Sequence, residues 1–164
     1  MCGAEIKASA ARLVEALAER GLMIATAESC TGGAVAAAVT SIAGCSAVML
    51  GGVVAYHNDV KIALLGVDEG VLLSHGAVSE PVVAQMANGV ALSTGAACAV
   101  ATSGIAGPGG GTPDKPVGTV WVAVKVRGNL VTRLLQLPDR GREENIRATV
   151  LAVLEMACGM VLSE

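Results

Sequence analysis

Aromatic residues are nearly absent from this 164-residue chain, which has no Phe, one Trp and one Tyr. With 53% of its residues hydrophobic, the core must be built from Ala, Val, Leu, Ile and Met. Small side chains bring backbones close together, and the 21 glycines point the same way. Basic clusters are missing as well. The net charge is −3 and no run of Lys or Arg occurs, which argues against nucleic acid as a partner. The five cysteines (Cys2, Cys30, Cys45, Cys98, Cys158) are odd in number and form no C-x-x-C pair. That spacing argues against a disulfide frame or a structural zinc site.

Charge is lacking over two long stretches, 29–58 and 81–113. Both are interrupted every few positions by Gly, Ser, Thr, Asn or Gln, and neither offers about 20 consecutive strongly apolar residues. The N-terminal "MCGAEIKASAARLVEALAER" reads as an amphipathic helix, because its charges interrupt any signal-peptide core. These absences predict a cytoplasmic protein with no membrane partner. Length predicts a single domain over 1–164. The apolar surplus predicts a homo-oligomer, dimer or higher.

Along the chain, Ile6, Leu13, Val14 and Leu17 recur at helical spacing and Gly21 stops that helix. "LMIATAE" reads as a buried strand ending at Glu28, and "GGAVAAAVTSIAG" as a helix closed by Gly44. "AVMLGGVVAYHN" is a second strand, in which Gly51 and Gly52 predict a bulge or a close backbone approach. Asn58 or Asp59 is expected to cap a short helix running through Leu65, and Ser79 to cap a helix over "SEPVVAQMANGVALS". "AACAVATSGIAG" is apolar enough to be a central strand. "VGTVWVAVKV" and "LVTRLLQL" are joined by "RGN" as a hairpin, and a helix runs from Arg142 to the end. The alternation predicts an α/β fold: a three-layer sandwich with a mixed sheet of about five strands.

The chemistry-bearing stretch is "TAESCTGG", residues 26–33. Ser29 or Thr31 can act simply as a helix cap. Alternatively Ser29 is a nucleophile at a strand-to-helix turn, with the helix N–H groups as oxyanion donors and Gly32 and Gly33 allowing close approach. Cys30 is a rival nucleophile next door. A serine needs a base, and neither histidine, His57 or His75, lies in a triad motif. Lys61 offers one. With Asn58 as cap it falls at the third helical position, where the positive end of the helix dipole lowers its pKa. Tyr56, the only tyrosine, ends the preceding strand and is a candidate proton relay or a wall for a substrate ring. "GPGGGT" supplies free N–H groups without matching a Walker or G-x-G-x-x-G pattern. Arg142 and Arg147 are candidates for an anionic ligand, although Glu143 and Arg147 also form an ordinary i,i+4 pair.

"TAESCTGG", "YHNDVK", "GAVSEPVVAQMA" and "SGIAGPGGGTPDKPVGTVW", in this order, resemble the CinA C-terminal domain family, whose best-known members are nicotinamide mononucleotide amidohydrolases. The resemblance covers essentially the whole chain. It implies hydrolysis of the nucleotide carboxamide to nicotinate mononucleotide and ammonia, with no metal and no cofactor. It also implies that Ser29 is the nucleophile, Lys61 the base and Tyr56 the tyrosine of the Tyr-x-Asn-x-x-Lys pattern. Ser103 stands where the family usually has Thr, keeping the hydroxyl to orient Lys61 or the amide. Glu28, Cys30, Thr31, Gly32, Gly33, Asn58, Gly104 and Arg142 are then expected around a small-molecule nucleotide. Its phosphate is expected on the backbone near Gly107, Gly109, Gly110, Gly111 and Thr112. A non-catalytic nucleotide-binding module, or an amidase for another carboxamide using Cys30, are the competing readings. Longer relatives carry a further N-terminal domain resembling molybdopterin-binding folds, which this chain is expected to lack.

Overall fold

A computed structural model describes residues 3–164. Met1 and Cys2, the first two residues of the stretch read above as the N-terminal helix, lie outside the described residues. Helix α1 (Ala4–Arg20) ends where Gly21 turns left-handed at φ 63°, as its sequence predicts. Strand β1 (Ile24–Glu28) leads through a turn into α2 (Ala34–Thr40), then β2 (Met49–Val54), α3 (Asn58–Leu65) and α4 (Glu69–His75). Helix α5 (Glu80–Thr94), strands β3 (Cys98–Gly104), β4 (Thr119–Val126) and β5 (Asn129–Gln136), and helix α6 (Arg142–Leu162) complete the chain.

The sheet order is β2-β1-β3-β4-β5, so the apolar β3 is central. β1 pairs parallel with β2 and β3, while β3–β4 and β4–β5 are antiparallel. This is the mixed five-stranded sheet that the alternation predicts. Helices α1, α2 and α6 cover one face over Ile24, Val100, Val122 and Val124. Helices α3, α4 and α5 cover the other, which is paved with Ala25, Ala27, Ala99, Ala101 and Ala123. Methyl-only paving is what lets α5 lie close to the sheet. Of the described helices α6 alone is long and apolar enough to cross a membrane. Its apolar side is packed against α1 and β4 in the core.

Several boundaries depart from the sequence reading. α2 stops at Thr40, four residues short of Gly44, where the hydroxyls of Thr40 and Ser41 donate back to Ala36 O at 2.9 Å and Ala38 O at 2.7 Å. Such bonds compete with helix continuation. α4 was not anticipated, although Asp68 accepts from Val71 N–H at 2.9 Å as a regular cap. Ser79 occupies the cap position of α5 but its hydroxyl donates to Gly76 O instead. The expected irregularity in β2 is present as a register shift: Ile24 faces Met49 and Ala25 faces Gly51. At Gly52 a Cβ would lie 2.1 Å from Thr26 Oγ1, so the close approach is real.

Candidate active site

The C-terminal ends of β1 and β3 lie side by side, with Glu28 directly opposite Thr102. Successive side chains on a strand point to opposite faces. Glu28 and Thr102 therefore lie on the α2 side with Ile24 and Val100, whereas Ser103 lies on the α5 side with Ala99 and Ala101. Ser29 follows Glu28 in the turn, 8% exposed, with its N–H donating to Thr102 O at 3.0 Å.

Lys61 meets it from α3. The residue is 1% exposed, and its Nζ lies 3.0 Å from Ser29 Oγ and 3.1 Å from Tyr56 O. Helical side chains lean toward the N-terminus, so an amine in the first turns of α3 reaches back over the end of β2. The cap of α3 is His57, whose Nδ1 accepts from Asp59 N–H at 3.2 Å, and not Asn58. Asn58 is the first helical residue and exposed, and Lys61 falls at the fourth position. The pKa of Lys61 is lowered as expected, but the leading cause is burial. A buried ammonium loses its hydration, and this favours the neutral amine.

Cys30 does not share this activation. It is 5% exposed, and burial is the leading cause that pushes its thiol up to about 11. The thiol stays protonated at neutral pH, which removes the expectation of a thiolate nucleophile. Iodoacetamide at pH 7 is therefore expected to modify the half-buried Cys45 well before Cys30. Peptide mass analysis reads this directly, and equal labelling would restore the thiol as a rival.

Other candidates are placed differently from the expectation. The Ser103 hydroxyl, 1% exposed, donates to Ala77 O at 2.8 Å and so ties β3 to the segment before α5 rather than hydrogen-bonding Lys61. Gly104 is needed for packing, since a Cβ there would lie 2.5 Å from Val120 Cγ2. Glu28 faces no substrate space: it is 1% exposed and its carboxyl group accepts from Thr31 Oγ1 and from the N–H groups of Gly33, Val35 and Ala36. The amides of the α2 terminus are thus consumed internally and are not the oxyanion donors expected of them. Gly32 and Gly33 serve this turn with φ of 59° and 101°, conformations that favour glycine. Arg147 is paired with Glu5 at 2.9 Å and Glu144 at 3.3 Å, the latter in place of the expected Glu143.

Arg142, the first residue of α6, stays with the site. Its guanidinium donates to Gly107 O at 2.8 Å and to the Tyr56 hydroxyl at 2.9 Å. Among the described residues no carboxylate lies within ion-pairing distance of Arg142. The Tyr56 hydroxyl is thereby engaged with Arg142, while its carbonyl receives Lys61. A continuous path of contacts runs from Ser29 through Lys61, Tyr56 and Arg142 to Gly107. Beyond Gly107, residues 108–112 are exposed and the N–H groups of Gly109, Gly110 and Gly111 have no acceptor among the described residues. Thr112 differs, its N–H closing a turn onto Lys115 O at 2.9 Å. A separate cleft of about 430 Å³, bordered by Lys115, Val117, Trp121 and Leu134, does not include the Ser29–Lys61 pair.

Thr102 is the residue that sequence reasoning missed. It is fully buried, and its Oγ1 lies 2.8 Å from Thr31 Oγ1. The adjacent Ser103 drew attention through its motif, and only the register with Glu28 distinguishes the two.

The family model for the CinA C-terminal domain matches residues 6–161. A CinA-like protein of Mycolicibacterium gilvum is 54% identical over 134 residues, covering 81% of this chain and 32% of that protein. The chain spans about a third of the length of the curated relatives it matches. Among solved structures, the competence/damage inducible protein CihA of Agrobacterium tumefaciens superposes with a TM-score of 0.95 at 45% identity, covering 100% of this chain and 99% of that one. A CinA superfamily protein of Klebsiella pneumoniae gives 0.93 at 34% identity, covering 97% and 99%.

Proposed function

Because this chain belongs to the CinA C-terminal domain family and holds Ser29 Oγ 3.0 Å from a buried lysine amine, we propose that it is an amidohydrolase acting on nicotinamide mononucleotide. The single observation that carries the reaction class is this Ser–Lys pair. A neutral amine at hydrogen-bond distance can take the serine proton, and burial shifts a lysine toward that neutral form.

The reaction then balances in two halves. Lys61 Nζ removes the Ser29 proton as Oγ bonds to the carboxamide carbon, giving a tetrahedral oxyanion. Its collapse breaks the C–N bond, and the Lys61 ammonium returns the proton to the departing nitrogen, releasing ammonia. Water, deprotonated by the regenerated amine, attacks the Ser29 ester. Nicotinate mononucleotide leaves and Ser29 recovers its proton.

The substrate assignment is supported by Arg142 and the glycine loop. Arg142 is a cation held only by neutral acceptors, a carbonyl and a phenol, so an anionic group competes well for it. The N–H groups of Gly109 to Gly111 are available to phosphate oxygens. Tyr56, 57% exposed beside them, presents a ring face to a pyridine. A coupled ammonia assay with nicotinamide mononucleotide, its riboside and free nicotinamide tests this. Turnover is expected with the nucleotide and to fall steeply without the phosphate. Arg142→Gln is expected to raise KM for the nucleotide about tenfold while leaving riboside turnover nearly unchanged. Equal rates on all three compounds would exclude phosphate recognition.

A further inference from the structure

Glu28 is a buried carboxyl group at the site that takes no part in the proton transfers above. Its four donors are Thr31 Oγ1 at 2.6 Å and the N–H groups of Gly33 at 3.1 Å, Val35 at 3.0 Å and Ala36 at 2.8 Å. Thr31 has a single hydroxyl proton, and Glu28 receives it. In the 2.8 Å contact between Thr31 Oγ1 and Thr102 Oγ1, Thr102 is therefore the donor. A chain of bonds runs from β3 through two threonines to the end of β1. All three residues are buried, so none of these bonds competes with water.

The turn that carries Ser29 lies inside this grip. Ser29 N–H donates to Thr102 O at 3.0 Å, and Gly32 N–H closes the turn onto Ser29 O at 3.0 Å. Every amide from Gly32 to Ala37 is spoken for: Gly32 by Ser29 O, Ala34 by Thr31 O, Ala37 by Gly33 O, and the other three by Glu28. The N–H groups of Cys30 and Thr31 alone in this run donate to no oxygen among the described residues. Both residues are at least nine-tenths buried, where an unpaired N–H is rare in folded proteins.

We propose that Glu28 is a positioning residue that, through the Thr31 hydroxyl, holds the 29–32 turn so that the N–H groups of Cys30 and Thr31 receive the oxyanion formed on attack by Ser29. The proposal rests on the Ser29–Lys61 reading of the site. Oxyanion donors act through being fixed before charge develops, and two hydrogen-bonded threonines against a buried carboxyl group supply that fixity. Glu28 touches no substrate and moves no proton.

The test compares the full-length wild type with Thr31→Val and Thr31→Ser. Valine keeps the shape and loses the hydroxyl, whereas serine keeps the hydroxyl. Two readouts are taken: kcat and KM for ammonia release from nicotinamide mononucleotide, and the rate at which a fluorophosphonate adds to Ser29, followed by mass. The valine variant is expected to lose about 10- to 100-fold in both kcat and labelling rate. Its KM should stay within about threefold and the pH midpoint of the rate should not move, since Lys61 is untouched. The serine variant is expected to recover most of both rates, which a merely structural loss would not predict. Should the valine form fail to fold, Thr31→Ala carries the same expectation. A hydroxyl-less variant with wild-type kcat and labelling overturns the proposal, as does a loss confined to KM or a serine variant as slow as valine. If the wild type labels but releases no ammonia, the substrate reading fails and the labelling rates still decide this one. A wild type silent in both assays removes the dyad and this proposal with it.

Discussion

Lys61→Met is expected to lower turnover about a thousandfold while the fold survives, and Ser29→Ala to match it. Methionine fills nearly the same volume without an amine, so the loss isolates the base from its packing. The wild-type rate should rise with pH to a plateau, because only the neutral amine accepts the serine proton. Burial lowers the pKa of Lys61, which places the midpoint of that rise below the 10.5 of an ordinary lysine. A rate that stayed flat down to pH 5, or one that fell as pH rose, would remove Lys61 from the role of base.

The same shift has a stability consequence of definite sign. Between the lowered folded pKa and 10.5, the unfolded chain binds a proton at this lysine that the folded chain does not. Stability contributed here is fully present above pH 10.5, declines as pH falls toward the folded pKa, and is constant below it. In Lys61→Met this dependence disappears. The variant is therefore expected to melt higher than wild type near pH 7, with the gap narrowing as pH rises. Thermal melts at several pH values measure it. Activity gained at the expense of stability is the usual pattern where a buried amine is retained for chemistry.

Gly89→Ala is expected to destabilise the chain by about 3 kcal/mol or more, the largest loss anticipated for a single added methyl group. A Cβ at this position in α5 would lie 1.8 Å from Leu65 O and 2.7 Å from Leu65 C. These are backbone atoms at the end of α3 and cannot rotate aside. The helices would have to separate, and with α3 goes Lys61, one turn earlier. The expected result in urea denaturation is a sharply lowered midpoint, accompanied by loss of turnover in the fraction that stays folded. Gly159→Ala is the natural control. That glycine is exposed in α6 and a Cβ would meet nothing within 4 Å. Removing a helical glycine there should stabilise by about 0.5–1 kcal/mol. Similar effects at the two positions would contradict the close seating of α5 on α3.

Much of the site is legible along the chain because it is local. Ser29 sits one residue beyond a strand whose end at Glu28 is readable from its apolar run, and the spacing from Tyr56 to Lys61 brings the amine back over the strand it follows. What the chain hides is direction. Ser103 carries the family hydroxyl and reads as a partner of Lys61, yet its proton goes to Ala77 O, an acceptor 26 residues away that no local pattern marks. Thr102, one residue earlier, has the opposite parity and meets Thr31. Glu28 likewise passed as a pocket residue, because a carboxyl group beside a nucleophile suggests chemistry. Its four internal donors appear only when the start of α2 folds back over it.

The order of the five strands and of every helix but α4, the strand-to-helix turn at Ser29, and the family were determined by sequence alone, since apolar periodicity and glycine positions act within a few residues of where they are written. The nearness of Ser29 to Lys61, the burial that lowers the pKa of its amine, and the identity of the two unoccupied amides were decided by tertiary structure. Burial and hydrogen-bond pairing depend on atoms brought together from β1, β3, α2 and α3, and no local pattern in the chain specifies which of them will be excluded from water.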